Sequence, residues 1–260
     1  MDSLASKQSS SVGEMIPRII DHLTAAIERA QVFDKPFSHF YMVDCFPSDI
    51  YAQMISHFPG PKSYSDPTFK VALREDGTKS RRDFKFTREE LSGLNEEARS
   101  VWYAVSESVL STQIRKCFFK KVGKDMAKRY GIHPEELDQI QAYPSPILYR
   151  DLPRYKTEIH ADTISKIANM HLYLPQDLSQ RDLGTSIYSF RLGAVSAVLH
   201  RWGVPGQFRK VKTFEFQPNS GYGFGVSKNS WHAREVIKSE SGVRNSLMVN
   251  YYQTSKTFVQ

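Results

Sequence analysis

The residues with the clearest chemical potential are two histidines and an aspartate. In Glu158-Ile159-His160-Ala161-Asp162-Thr163, an imidazole and a carboxylate stand two positions apart. Side chains at i and i+2 of an extended chain point to the same side, so His160 and Asp162 can approach one ion together. A third ligand must then come from a distant segment, and His232 in Ser230-Trp231-His232-Ala233 is the candidate. Two imidazoles and one carboxylate on one face form the donor set of non-haem Fe(II), with coordination positions left open for oxygen and substrate. A His-x-Asp pair by itself is a weak signal, so the surrounding residues must carry the reading.

The first support is Arg244. The stretch Gly242-Val243-Arg244-Asn245-Ser246-Leu247-Met248-Val249-Asn250-Tyr251-Tyr252 reads as a turn followed by a strand. Alternation puts Arg244, Ser246, Met248 and Asn250 on one face, and Val243, Leu247 and Val249 on the other. An arginine facing the inside of an apolar β-core is costly unless something satisfies it. A bound carboxylate would, because guanidinium grips carboxylate as a two-pronged fork. The alternative is a surface strand with Arg244 in solvent.

Several elements must position these groups. Apolar residues Ile19, Ile20, Leu23 and Ile27 recur at helical spacing between Met15 and Ala30. Phe37 to Val43 reads as a strand, and Pro47-Ser48-Asp49 opens a helix running to about Phe58. Residues 59 to 86, dense in Pro, Gly, Ser and charge, are expected to form a long surface loop able to act as a lid, with Arg74, Arg81 and Arg82 over a carboxylate-bearing substrate. Thr87, with Glu90 three residues on, is a helix start, and helical pattern continues to about Tyr130 before Gly131-Ile132-His133-Pro134 breaks it. From Gln139 onward short apolar and aromatic segments alternate with turns, which predicts a barrel or jelly roll. The fold class is therefore α+β with a mainly β core. Residues 1–13 are expected to be a disordered tail, and 14–260 a single domain, helical over about 14–135 and β over about 139–252. Gly221-Tyr222-Gly223-Phe224-Gly225 has no helix after it and reads as a turn and core strand rather than a phosphate loop.

The 260 residues are 40% hydrophobic and 24% charged, enough to bury a core without disulfides or a structural metal. Cys45 and Cys117 have no metal-ligand spacing and suggest a reducing compartment. No apolar run approaches the length of a membrane span and no signal-peptide pattern opens the chain, so a cytoplasmic protein is expected. The net charge of +7 could steer anions toward a cleft. Its basic residues are scattered and no aromatic-basic stripe tracks a strand, which argues against nucleic acid as the partner.

In order along the chain stand His160-x-Asp162, the segment Asn169-Met170-His171-Leu172-Tyr173-Leu174-Pro175, the loop Leu183-Gly184-Thr185-Ser186, the turn Phe216-Gln217-Pro218-Asn219-Ser220-Gly221, then Trp231-His232 and Arg244-x-Ser246. This order resembles the Fe(II)/2-oxoglutarate-dependent dioxygenase superfamily, and its prolyl-hydroxylase-like members in particular, over roughly residues 139 to 252. The resemblance implies a double-stranded β-helix, jelly-roll or cupin-like, with the N-terminal helices packed on it. It implies Fe(II) held by His160, Asp162 and His232, with O2 and 2-oxoglutarate as co-substrates and ascorbate in support. It places the C5-carboxylate of 2-oxoglutarate on Arg244 and Ser246, and matches Tyr149 to a tyrosine that often bonds this co-substrate. Relatives that halogenate carbon lack the carboxylate ligand, so Asp162 favours hydroxylation. Many relatives carry Gly-Gly-Glu where this chain has Gly184-Thr185-Ser186, so substrate contacts there do not carry over.

The leading expectation is hydroxylation of an unactivated C–H of a small molecule, an amino acid or a natural-product scaffold. A peptidyl or protein hydroxylase of the same family is the alternative. A non-catalytic cupin-like metal-binding or sensor protein is the alternative of another class. Oligomeric state, stereochemistry, and hydroxylation against desaturation or ring closure stay open at this level.

Overall fold

The computed structural model describes residues 11–71 and 73–254. Most of the expected N-terminal tail therefore lies outside the described residues, and a helix already begins at Val12. The helices are α1 (Val12–Arg29), α2 (Ser48–Ser56), α3 (Arg88–Ser92), α4 (Glu96–Val109), α5 (Thr112–Tyr130) and α6 (Ala194–Arg201). The strands are β1 (Val32–Phe33), β2 (His39–Val43), β3 (Arg81–Phe84), β4 (Tyr143–Asp151), β5 (Thr157–His160) and β6 (Lys166–Tyr173). They continue with β7 (Ser186–Phe190), β8 (Phe208–Thr213), β9 (Ser220–Gly225), β10 (His232–Arg234) and β11 (Arg244–Tyr252).

The helix ends follow capping chemistry. The Ser11 backbone N–H donates to Glu14 Oε2 at 2.9 Å, the return half of a capping box. Thr87 Oγ1 accepts from the Glu90 N–H at 3.2 Å and Asn95 Oδ1 from the Ala98 N–H at 2.8 Å. The break expected at Gly131 is a left-handed cap, φ 65°, closing α5. One stripe of α1 (Met15, Ile19, Leu23, Ile27) is buried together with Trp102 of α4, Phe118 of α5, and Met170, Leu172, Leu247 and Val249 of β6 and β11. These helices therefore cover one face of a sheet, and each fully buried large apolar side chain contributes about 1.5–3 kcal/mol.

Among the described residues all strand pairings are antiparallel. Seven strands lie in the order β1-β2-β9-β6-β11-β4-β3 and four in the order β5-β10-β7-β8. The predicted Gly-rich segment is β9, a core strand. An ideal Cβ at Gly223 would lie 2.5 Å from Phe118, which explains how close α5 approaches. A second core of Phe37, Tyr173, Phe214, Phe216, Tyr222 and Phe224 includes Phe214 stacked on Tyr222 at 4.6 Å between centroids.

The expected 59–86 loop is in part ordered structure. β3 pairs with β4 at the sheet edge, and the bridges Ser65–Asp83 and Leu73–Lys79 tie down the stretch before it. Arg81, expected on an exposed lid, is 6% exposed, because its charge is neutralised inside the sheet by Asp151. His200 and Trp202 belong to α6 and its C-cap. Trp202 is 76% exposed, while His200 packs edge-on against Trp231.

Candidate metal centre and its anion-binding end

The two histidines meet through strand pairing. β5 and β10 are neighbours, and the register sets His232 opposite His160, their rings 4.4 Å apart. Asp162 follows β5 in the turn to β6. One donor atom from each of His160, Asp162 and His232 lies within 4.8 Å of the others. Both histidines are held the same way. His160 Nδ1 lies 2.8 Å from the Glu158 carbonyl, and His232 Nδ1 lies 2.9 Å from that of Ser230. A carbonyl only accepts, so Nδ1 carries the proton and each Nε2 presents its lone pair. Asp162 Oδ1 accepts from Lys166 Nζ at 2.7 Å, while Oδ2 is buried and unpaired. A cation between two imidazole lone pairs and this orphaned oxygen would satisfy all three, and an N,N,O set suits Fe(II).

The electrostatics agree with that role. Burial pushes His232 down to about 4, with the charge of Asp162 opposing and that of His160 assisting, so its imidazole is neutral at physiological pH. Burial would raise the Asp162 carboxyl, but the Lys166 ammonium leads the opposing effects and the group is held below its ordinary value.

The triad opens on a cavity of about 850 Å³ walled by both sheets. From the seven-stranded sheet come Tyr149, Asn169, His171, Tyr222, Arg244 and Met248; from the other come Thr157, His160, His232 and Arg234. The β11 alternation holds, because Leu247, Val249 and Tyr251 pack toward the helices while Arg244, Met248 and Asn250 line the cavity.

Arg244 is 1% exposed. Its Nε donates to the Leu183 carbonyl at 2.7 Å, its Nη1 to Asp151 Oδ2 at 2.7 Å, and its Nη2 is buried without a partner. The acid that meets Arg244 is thus internal in part. Asp151, directly across from Arg244 on β4, also takes Arg81 Nε at 2.5 Å and Nη2 at 3.0 Å. Burial works against the Arg81 charge, but Asp151 outweighs it and raises the group above its ordinary value.

Tyr149 lines the cavity with the Arg81 guanidinium 3.9 Å from its ring centroid, and burial raises its phenol. Ser246 is fully buried; its Oγ meets His171 Nε2 at 2.8 Å, and Arg244 Nη1 is 3.5 Å away. His171 also lines the cavity. Burial together with the charges of Arg244 and Arg81 pushes its imidazole well below the ordinary value.

Sequence reasoning missed Lys166, Asp151 and Arg234 at this site, and placed Arg81 on a lid rather than in the sheet beside Asp151. For Arg234 a signal exists, since the alternation that pairs His160 with Asp162 also pairs His232 with Arg234. Arg81 and Asp151 carry no such signal, because their meeting depends on β3 joining β4.

No family model and no curated protein sequence matches the chain. Solved structures with a similar backbone include a Pseudomonas putida prolyl-4-hydroxylase, 9% identical, covering 91% of this chain and 100% of that one, TM-score 0.47. They include the non-haem alpha-ketoglutarate-dependent epimerase SnoN from nogalamycin biosynthesis, 10% identical, covering 90% of this chain and 83% of that one, TM-score 0.48. HygX from Streptomyces hygroscopicus, solved with nickel and 2-oxoglutarate bound, is 10% identical, covering 84% of this chain and 83% of that one, TM-score 0.44. These are likenesses of chain path, and the reading of the site rests on its own side chains.

Proposed function

We propose that the protein is an Fe(II)- and 2-oxoglutarate-dependent dioxygenase that hydroxylates an unactivated C–H bond of a small molecule. Its two sheets are read as the halves of a double-stranded β-helix, since both contribute walls to one cavity. The observation that carries the proposal is the pairing of two features in that cavity. One is a His-Asp-His cluster with converging donor atoms, in which buried Asp162 Oδ2 is unpaired, and the other is the unpaired Nη2 of buried Arg244.

In this reading His160, Asp162 and His232 hold the iron, and Lys166 fixes Asp162 so that Oδ2 faces the metal. Bound iron supplies oxygen activation coupled to decarboxylation of 2-oxoglutarate. Arg244 takes the distal carboxylate, and Ser246 and His171 support the guanidinium from behind. Tyr149 and Tyr222 wall the space and keep water from it. A volume of about 850 Å³ accommodates the co-substrate beside a substrate of drug-like size, which supports a small molecule over a folded partner.

Anaerobic titration of Fe(II) and 2-oxoglutarate into metal-free protein tests the reading through a visible metal-to-ligand charge-transfer band. The band is expected in the natural protein, lost in His160→Ala and weakened in Arg244→Ala. Iron binding without any band would sink the co-substrate assignment and favour a cupin-type metal protein.

A further inference from the structure

We infer that Arg234 is a second anchor for the distal carboxylate of the 2-oxo acid, so that two guanidiniums, Arg234 and Arg244, clamp one carboxylate. This rests on the reading of the site as an Fe(II)/2-oxoglutarate centre. Arg234 lies two residues after His232 on β10, and Arg244 opens β11 in the facing sheet. Both are buried, 6% and 1% exposed, and both line the cavity that holds the triad.

Consecutive carbonyls bring them together. Arg234 Nη1 donates to the Gly184 oxygen at 3.1 Å, and Arg244 Nε donates to the Leu183 oxygen at 2.7 Å. Each guanidinium then keeps one buried N–H with no partner, Nε of Arg234 and Nη2 of Arg244. The available anions do not balance them. Asp151 is already shared by Arg81 and Arg244, and among the described residues Arg234 pairs with Glu235 alone, at 3.2 Å, an acid that also accepts from Lys210, Ser186 and Tyr188. Like charges set side by side out of water, each with an unused donor, are resolved by one carboxylate that accepts from both. Arg234 also lines a second pocket, with Lys210 and Glu235, so it stands between that pocket and the cavity.

The test uses anaerobic Fe(II)-loaded protein and calorimetric affinities for two 2-oxo acids. They are 2-oxoglutarate and 2-oxopentanoate, which has the same keto-acid head and no distal carboxylate. Arg234→Gln is expected to weaken 2-oxoglutarate at least about tenfold, the size of one charge-assisted bond, and to leave 2-oxopentanoate unchanged. Arg234→Lys, which keeps the charge and guards against misfolding of the Gln variant, is expected to fall between. Equal losses for both acids, or 2-oxoglutarate binding as in the natural protein, would mean that Arg234 is structural and would overturn the clamp. If the natural protein bound neither 2-oxo acid, the underlying reading would fail. The clamp would then stand or fall on glutarate, which keeps the carboxylates without the keto group: Arg234-dependent glutarate binding supports it, and no binding overturns it.

Discussion

At the scale of single residues, the site depends on how a few buried charges are shared. Asp151 is fully buried and bonded to both Arg81 and Arg244. Removing one partner of a buried ion pair leaves the other charge uncompensated, at a cost of about 3–5 kcal/mol. Asp151→Asn should therefore lower stability by roughly that amount, read as a shift in the urea midpoint at constant slope. A midpoint unchanged within error would show that the two arginines are satisfied without Asp151. The histidines show the complementary device. Their Nδ1 protons are committed to the Glu158 and Ser230 carbonyls, which fixes the tautomer that presents Nε2. Local sequence supplies this, because each carbonyl belongs to the residue two positions back.

At the scale of elements, the segment before β7 links the core to the arginines. An ideal Cβ at Gly184 would sit 1.4 Å from the Phe214 carbonyl oxygen, a backbone atom that cannot swing away. Gly184→Ala must displace this segment, whose carbonyls hold Arg234 and Arg244. Overpacking of this kind costs about 1–3 kcal/mol, and the variant should lose affinity for 2-oxoglutarate as well as stability. Gly60→Ala, with nothing within 4 Å of the added Cβ, is the control and should stay within about 0.5 kcal/mol. Thermal melts and calorimetry on the two variants decide it, and equal behaviour would show that the close approach at Gly184 is not needed.

At the scale of the whole molecule, buried neutral histidine makes stability depend on pH. Burial and the nearby arginine charges hold the folded pKa of His171 well below its ordinary 6.5. Unfolding lets it take up a proton in any solution below about pH 6.5. Stability is undiminished above that pH and is lost progressively as pH falls toward the depressed folded value. Urea unfolding from pH 7.5 to 5 should show a steeper acid loss for the natural protein than for His171→Gln. The difference should approach about 1.4 kcal/mol per pH unit for one proton. Identical slopes would mean that His171 is protonated in the folded state. Among the described residues no helix is long and apolar enough to cross a membrane.

What the sequence determined by itself is what short-range rules govern. Alternation along Arg244–Tyr252 defined a strand with the observed limits and the observed two faces. The i, i+2 spacing set donor atoms of His160 and Asp162 close to each other, and Gly131 and Thr87 marked helix ends through backbone conformation and capping. Those signals lie within a few residues of one another, so one chain segment contains them whole. The tertiary structure alone decided which carboxylate meets Arg244, that Arg81 is buried rather than held over the mouth, and that Arg234 stands beside Arg244. The β3–β4–β11 register aligns Arg81, Asp151 and Arg244 in one row across strands far apart in the chain. Their energies arise from long-range pairing in a dry interior, where a charge is tolerated only beside its complement, and no local pattern of residue types records which complement that is.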